Sequence, residues 1–177
     1  GYAALLRNTT GTKNTAVGSL SLDAITEGAE NVAVGYDALG ADTLGSHSVA
    51  VGPSALRTQN FTTATSAMNT AVGSFAMYAN TTGINNTAIG RSALQVNTTG
   101  AENVAVGTYS LDANTTADGS TAIGYAALST NSGANNTAVG RRALDANTTG
   151  IDNVALGANA LDSNTTANDN VAVGRYA

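Results

Sequence analysis

This 177-residue chain has a single histidine, His47, and histidine is the residue type that most often acts as a general base. Histidine acts as a general base when a hydroxyl nucleophile and a carboxylate lie within hydrogen-bond reach. The sequence pattern places no Ser and Asp beside His47 to form such a triad. His47 is therefore interpreted as a surface or turn residue, and the sequence predicts no catalytic residue and no enzyme activity.

Acidic residues recur at equal spacing and could hold a cation. Asp145 and Asp162 are 17 residues apart, as are Asp152 and Asp169. Stacked carboxylates about 5 Å apart repel unless water or a cation separates them. The chain lacks the Gly-Gly-x-Gly-x-Asp pattern of calcium-binding rolls, and it has no cysteine for thiolate ligands. Solvated turns are favoured over a cation site, and no metal or cofactor is predicted.

Tyrosine and arginine concentrate at the two positions that follow a recurring glycine. Five of the six Tyr lie there, together with most of the Arg. These residue types are enriched in binding hot spots, which suggests a recognition stripe. The alternative is that the long side chains fill corners between neighbouring chains. The candidate binding residues are Tyr2, Tyr36, Arg91, Tyr109, Tyr125, Arg141, Arg142, Arg175 and Tyr176.

The recurring glycine belongs to a pentapeptide of the type Asn-Thr-Ala-Val-Gly that is repeated along the whole chain. Successive copies are 17 residues apart, except for one step of 21 and one of 16. A fixed short period of this kind is typical of a solenoid, in which each repeat packs only on its neighbours. The glycines are Gly1, Gly18, Gly35, Gly52, Gly73, Gly90, Gly107, Gly124, Gly140, Gly157 and Gly174.

One repeat contains a short strand, an Ala-Leu segment and an Asn-Thr-Thr-Gly turn. The Ala-Leu segment is predicted to begin a second strand or extended arm. Alternation along the strand places Val32 and Val34 on one face and Ala33 on the other. The predicted core combines two ladders. One is Leu5, Leu22, Leu39, Leu56, Met77, Leu94, Leu111, Leu128, Leu144 and Leu161; the other is Val17, Val34, Val51, Val72, Ile89, Val106, Ile123, Val139, Leu156 and Val173.

The central Ala of the strand is the same in all ten internal copies. Such strict smallness indicates that another backbone approaches closely, either the facing strand of the same coil or a neighbouring chain. A thin roll with few large side chains needs partners to bury enough surface, so a cyclic homo-oligomer is expected. The predicted interface residues are Ala16, Ala33, Ala50, Ala71, Ala88, Ala105, Ala122, Ala138, Ala155 and Ala172.

Composition limits the partners. Charged residues are 11% of the chain and the net charge is -5, so the basic surface that nucleic acids require is missing. No apolar run reaches the ~20 residues that span a bilayer, so direct membrane insertion is not expected. The chain begins with Gly, and both ends interrupt a repeat. Residues 1–177 are therefore expected to be one β-roll array within a longer fibrous protein.

The block Asn-Val-Ala-Val-Gly followed by x-x-Ala-Leu resembles the head repeat of YadA-like trimeric autotransporter adhesins, and the resemblance covers essentially the whole chain. It implies an all-β fold, a left-handed parallel β-roll of about ten 17-residue coils, with three chains around one axis at a Gram-negative surface. The 17-residue period is longer than that family's commonest repeat. Expanded repeats of this kind also resemble those of phage tail-fibre-type proteins.

The sequence therefore predicts a non-enzymatic, homotrimeric segment of an extracellular adhesive fibre on a bacterial surface. Its partners would be further copies of itself and a host or environmental surface, protein or glycan, contacted through many weak repeated interactions. The alternative is the shaft or receptor-binding segment of a virion tail fibre. A cation-binding or glycan-processing roll is the less favoured possibility.

Overall fold

The computed structural model describes all 177 residues as an all-β parallel β-solenoid of about nine turns, with about 17 residues in each coil. This confirms the predicted fold class. No helix is present that has the length and apolar character to cross a membrane.

The strands are very short, because each coil turns sharply after the glycine that ends its pentapeptide. Ten of them form one parallel sheet in the order β1-β2-β4-β6-β7-β8-β9-β10-β11-β12, and β3 pairs with β5. In chain order the strands are β1 (Thr15–Val17), β2 (Val32–Val34), β3 (Gly45–Ser46), β4 (Val49–Val51), β5 (Thr65–Ser66), β6 (Thr70–Val72), β7 (Thr87–Ile89), β8 (Val104–Val106), β9 (Thr121–Ile123), β10 (Thr137–Val139), β11 (Val154–Leu156) and β12 (Val171–Val173).

The register is in step along the whole sheet, so equivalent residues form straight ladders. Ala105 pairs with Ala88 on one side and with Ala122 on the other. The one insertion and the one deletion in the repeat do not disturb this register. Thr70 still faces Val49 after the long coil, and Thr137 faces Thr121 after the short one.

The central Ala of each strand points into the coil, which corrects the predicted face assignment. Except in the first and last strands, these Ala side chains are fully buried and pack with the Leu ladder in one core cluster. The flanking Thr, Val and Ile residues point outward. The Leu ladder was thus correctly predicted as core, while the Val/Ile/Leu ladder from Val17 to Val173 was not.

The same finding overturns the prediction that the Ala face contacts a neighbouring chain. These Ala side chains are buried in one cluster with the Leu ladder, so their close contacts lie within the chain itself. The positions that are therefore not available to another chain are Ala33, Ala50, Ala71, Ala88, Ala105, Ala122, Ala138 and Ala155, with Ala16 and Ala172 partly exposed only because they lie in the terminal coils.

The Ala-Leu segment is a curled arm. The prediction that it begins a second strand or an extended arm was wrong. Every Leu or Met of the core ladder has a positive φ, between 47° and 54°. The second residue after each strand glycine is also left-handed, as Tyr109 (φ 58°) illustrates. Two left-handed residues in such a short segment bend the chain back over the strand, which closes the coil without a second sheet.

Glycine ends each strand for two reasons, which Gly107 illustrates. Its φ is 138°, a conformation that side chains with a Cβ rarely adopt. A Cβ there would also lie 2.4 Å from the carbonyl oxygen of Gly124 in the next coil. The invariant glycine is thus a consequence of coil stacking.

Buried asparagines satisfy the polar backbone inside each coil. The side-chain oxygen of Asn86 accepts a hydrogen bond from the backbone N–H of Asn103 (3.0 Å), and its amide donates to the carbonyl of Gly100 (2.8 Å). A second ladder does the same in the Asn-Thr-Thr-Gly turn, where the Asn97 amide donates to the Gly100 carbonyl (3.0 Å). This satisfies groups that would otherwise be costly to bury.

The four-residue insertion changes this polar core locally. Ser48 stands where most coils have Asn, and Gln59 fills the space that its shorter side chain leaves. The Gln59 amide donates to Ser48 Oγ (3.1 Å) and to Asp42 (2.7 Å), and its carbonyl accepts from Asn69 (2.8 Å). The polar atoms of the buried Gln59 side chain are therefore all hydrogen-bonded in the irregular coil.

Candidate binding surfaces

The outward face of the ten-stranded sheet is a regular surface that runs along the whole sheet. It consists of two parallel columns of side chains and contains no charged residue. Ile123, for example, is 40% exposed although it lies in the middle of the sheet. One column is Thr15, Val32, Val49, Thr70, Thr87, Val104, Thr121, Thr137, Val154 and Val171; the other is the ladder from Val17 to Val173 given above. We call these two columns the outer strip.

The tyrosines and arginines predicted to bind a partner lie at the turn beside the outer strip. Tyr2, Tyr36, Tyr125 and Tyr176 are more than half exposed, and Tyr109 is partly covered. Arg91, Arg141, Arg142 and Arg175 are exposed. All nine predicted residues are thus on the surface of the single chain.

These residues form local groups, and not one continuous stripe. The Arg91 guanidinium lies 5.4 Å from the ring centre of Tyr109, and Tyr109 meets Tyr125 edge-to-face at 6.2 Å. Arg142 pairs with Asp145 (2.6 Å), while Arg175 stacks on Tyr176 (4.7 Å). Stacking of this kind stiffens exposed side chains, which lowers the entropy lost when a partner binds.

One group was missed in the sequence because it is built from a different position of the coil, the fifth after the strand glycine. Arg57 pairs with Asp37 and donates to the hydroxyl of Tyr78 (2.6 Å), and its guanidinium lies 5.6 Å from the Tyr78 ring centre. The bonds to Asp37 raise the pKa of Arg57, with a smaller contribution from Tyr78. The sequence signal for this group was the variety of residue types at the fifth position, where the repeat has no fixed residue.

A groove of about 450 Å³ opens next to this group. It spans three coils, and its polar lining comprises Asp23, Tyr36, Asp37, Arg57 and Thr58. Gly40 forms the floor: a Cβ there would lie 2.1 Å from Asp37 Oδ1 and 3.4 Å from Asp23 Oδ1. The two carboxylates therefore converge on one point. Partial burial, and then the charge of Asp37, raise the pKa of Asp23.

His47 has neighbours that the repeat pattern did not reveal. Ser66 Oγ lies 3.0 Å from His47 Nδ1, and Glu30 Oε2 lies 3.4 Å from Nε2. Glu30 also accepts a 2.7 Å bond from Lys13, and this bond, followed by the charge of Lys13, lowers the pKa of Glu30. Glu30 occupies the position equivalent to that of His47 in the preceding coil, whereas Ser66 lies in the coil that carries the insertion.

The Ser66–His47–Glu30 arrangement lacks the features of an acyl-transfer site. All three side chains are exposed, and the groove of the molecule lies elsewhere. The carboxylate is already bound to Lys13, whereas a catalytic carboxylate is buried and committed to orienting the imidazole. The group forms a polar ladder on the coil surface.

The acidic ladders do not converge on a cation site. Asp145 is paired with Arg142, and Asp162 accepts from the Asn159 amide at 3.2 Å. Asp152 and Asp169 are exposed. No group of three or more His, Asp or Glu side chains has an arrangement that could hold a metal ion.

Comparison with known proteins adds no relative: no family model, no curated protein and no solved structure matches the chain.

Proposed function

We propose that this chain is a segment of an adhesive fibre outside the cell, in which three copies assemble along the outer strip and attach to a surface through repeated contacts. The observation that carries the proposal is the outer strip itself: twenty Thr, Val, Ile and Leu side chains in register, with no charge, along the whole sheet. Contiguous apolar surface of this extent marks an interaction site.

A copy of the same chain is the partner that fits best. The strip repeats at the ~4.8 Å spacing of parallel strands, so a partner must present side chains with the same spacing over the same length. An ordinary globular surface does not. A second solenoid of the same coil length matches the strip at every step, and Val or Ile of one chain can pack between those of the other.

The size of the strip favours three chains over two. Ten strands of three residues make a strip about 45 Å long and about 10 Å wide. A stable interface buries about 800 Å² on each partner, which exceeds what such a narrow strip supplies when it packs on a single flat neighbour. Around a three-fold axis each chain contacts two others, and the flanking Tyr and Arg residues add to the contact.

Attachment would use the exposed Tyr and Arg side chains that remain outside the assembly. Each chain presents several such groups at fixed axial distances, and assembly triples their number. Weak contacts that are repeated on one rigid body combine into strong attachment, provided that the geometry allows simultaneous binding. The resemblance of the repeat to YadA-like adhesin heads supports the same function.

The assembly is tested with Ile123→Glu, which puts a charge in the centre of the outer strip. Sedimentation of the unchanged protein is expected to give three times the mass of one chain. The variant is expected to sediment as a monomer with an unchanged circular dichroism spectrum, because the side chain points away from the core. Beads coated with the variant should also adhere less to cell layers and glycan-coated slides than beads coated with the trimer.

The matched control is Val96→Glu. The exposed fraction of Val96, 39%, is close to the 40% of Ile123, but Val96 lies on the arm and outside the outer strip. It should leave both mass and adhesion unchanged. Ala105→Glu, in contrast, is expected to disrupt the coil itself because Ala105 is buried. A stable monomer of the unchanged protein, or a trimer of Ile123→Glu, would contradict the proposed assembly.

A further inference from the structure

The groove described above exists because one side chain is missing from a ladder. The fifth position after the strand glycine carries Leu6, Asp23, Gly40, Arg57, Tyr78, Gln95, Asp112, Ser129, Asp145 and Asp162 in successive coils. Gly40 is the only glycine among them. Its φ is not in the left-handed region, so the backbone does not require glycine here. The missing side chain leaves room for the Asp37 carboxylate, whose Oδ1 atom lies 2.1 Å from where a Cβ of residue 40 would be.

The groove has a hydrogen-bond acceptor on one side and a donor on the other. Asp23 lies in the coil before Gly40, and Arg57 lies in the coil after it. A carboxylate accepts hydrogen bonds only, while a guanidinium donates only. Hydroxyl groups both donate and accept, so two neighbouring hydroxyls complement this pair.

The remaining walls fit the same kind of ligand. The ring of Tyr36 is 56% exposed at the edge of the groove and offers an apolar face. The side-chain hydroxyl of Thr58 is already committed to the carbonyls of Tyr78 (2.8 Å) and Asn80 (3.1 Å), which fixes the wall on the Arg57 side. A volume of about 450 Å³ lies within the usual range for small-molecule sites.

We propose that the groove around Gly40 binds a neutral saccharide, with vicinal hydroxyls held between Asp23 and Arg57 and the apolar face of the sugar ring on Tyr36. This deepens the proposed attachment function and rests on it for its biological role. Asp37 positions Arg57, because it pairs with the guanidinium at the wall of the groove.

The charges disfavour ionic ligands. An anion would face both Asp23 and Asp37, with Arg57 already neutralised by its pairing to Asp37. A cation would meet both carboxylates, but Asp37 is already paired with Arg57, and the single remaining Asp23 carboxylate, which is partly exposed, would hold a cation only weakly. A neutral ligand that is rich in hydroxyls avoids both conflicts and uses the donor and the acceptor together.

The proposal is tested by saturation-transfer NMR of the full chain with methyl glycosides of glucose, galactose, mannose and N-acetylglucosamine. At least one is expected to bind with a millimolar Kd. Gly40→Ser, whose Cβ would displace the Asp37 carboxylate from the wall of the groove, should weaken binding at least tenfold. Asp23→Asn and Tyr36→Ala should weaken it similarly without affecting the fold, since both side chains are at the surface.

A matched control occupies the same coil position away from the groove: Asp162→Asn is the counterpart of Asp23→Asn. This control should retain binding. The proposal is overturned if no glycoside binds, if the groove variants bind as well as the unchanged protein, or if tetramethylammonium or sialic acid binds in place of neutral sugars.

Sedimentation of the same samples separates this proposal from the one before it. A trimer that binds no glycoside would refute the groove and leave the assembly standing. A monomer that binds glycoside through Asp23 and Tyr36 would refute the assembly and leave the groove standing.

Discussion

Single residues deviate from the repeat at the fifth position after the strand glycine as well as at the first two, and their effect on stability or binding depends on their neighbours. Asp145 finds Arg142, and Asp23 borders the groove. Asp112 occupies the same position between Gln95 and Ser129, and its Oδ1 atom is buried without a hydrogen-bond partner. Burial, with a smaller contribution from the charge of Asp145, raises the pKa of Asp112.

Asp112→Asn is therefore expected to stabilise the fold at neutral pH. A carboxyl group whose folded pKa is raised above the unfolded value of about 3.9 binds protons more readily when folded, so its penalty is fully present above the folded pKa. The penalty disappears as the pH falls through that value toward 4. We expect a gain of about 0.5 kcal/mol at pH 7, reduced by solvent screening of the partly exposed group.

The measurement is urea unfolding of both proteins at pH 7 and at pH 4. The difference in free energy of unfolding should shrink at the lower pH. Asp162→Asn serves as the control, because Asp162 accepts hydrogen bonds from Asn159 and Ser163. An equal stabilisation by the control, or a difference that does not depend on pH, would contradict the explanation.

At the scale of the element, the strand and its ladders were predictable from the sequence, whereas the arm was not. Alternation along the strand is unambiguous, but it does not say which face is inside. The strictness of the Ala ladder was the correct signal, since a core position next to Leu has less freedom than a surface one. The outward column in contrast accepts Val, Ile and Leu in turn.

The arm left a weaker trace in the same sequence. Its core ladder holds only Leu and Met, never Val or Ile, over ten coils. Branching at Cβ is poorly tolerated at positive φ, so this restriction reflects the left-handed backbone at each of these positions. The groove and the Ser66–His47–Glu30 ladder were not predictable, because they arise from single deviations that only the stacking of coils brings together.

Leu111→Ile tests the conformation of the arm. Leu111 is fully buried with φ 49°, so isoleucine would keep the volume and add strain. We expect the free energy of unfolding to fall by about 2–3 kcal/mol, whereas exchanges that conserve volume usually cost less than ~1.5 kcal/mol. Leu111→Met should cost less, because Met77 occupies the same ladder at φ 47°. Equal losses in urea unfolding would show that left-handed strain is not what restricts the position.

At the scale of the whole molecule, the stability of a solenoid is close to a sum over coils and their contacts, since each coil touches only its neighbours. The ladders of Ala, Leu and Asn all share one axial period, and therefore the coil is the unit that can be removed. A cut that does not begin and end at equivalent positions of two coils puts residues of one ladder into the positions of another. The same argument explains why the four-residue insertion is tolerated: it leaves the register of β4 with β6 intact.

Deletion of residues 86–102 removes one coil and joins Asn85 to Asn103. In the unchanged protein, Thr70–Val72 and Val104–Val106 both pair with Thr87–Ile89. After the deletion, these two strands pair with each other. We expect a folded protein with an unchanged circular dichroism spectrum per residue. Its urea m-value should be lower by about a tenth, because m scales with the surface exposed on unfolding. Deletion of residues 86–94 is the contrasting variant: it places Asn97 where the strand requires an inward Ala and Thr99 where it requires Gly, and it should lose the cooperative transition of the coils that follow. Equal behaviour of the two deletions would mean that the axial ladders do not define the fold.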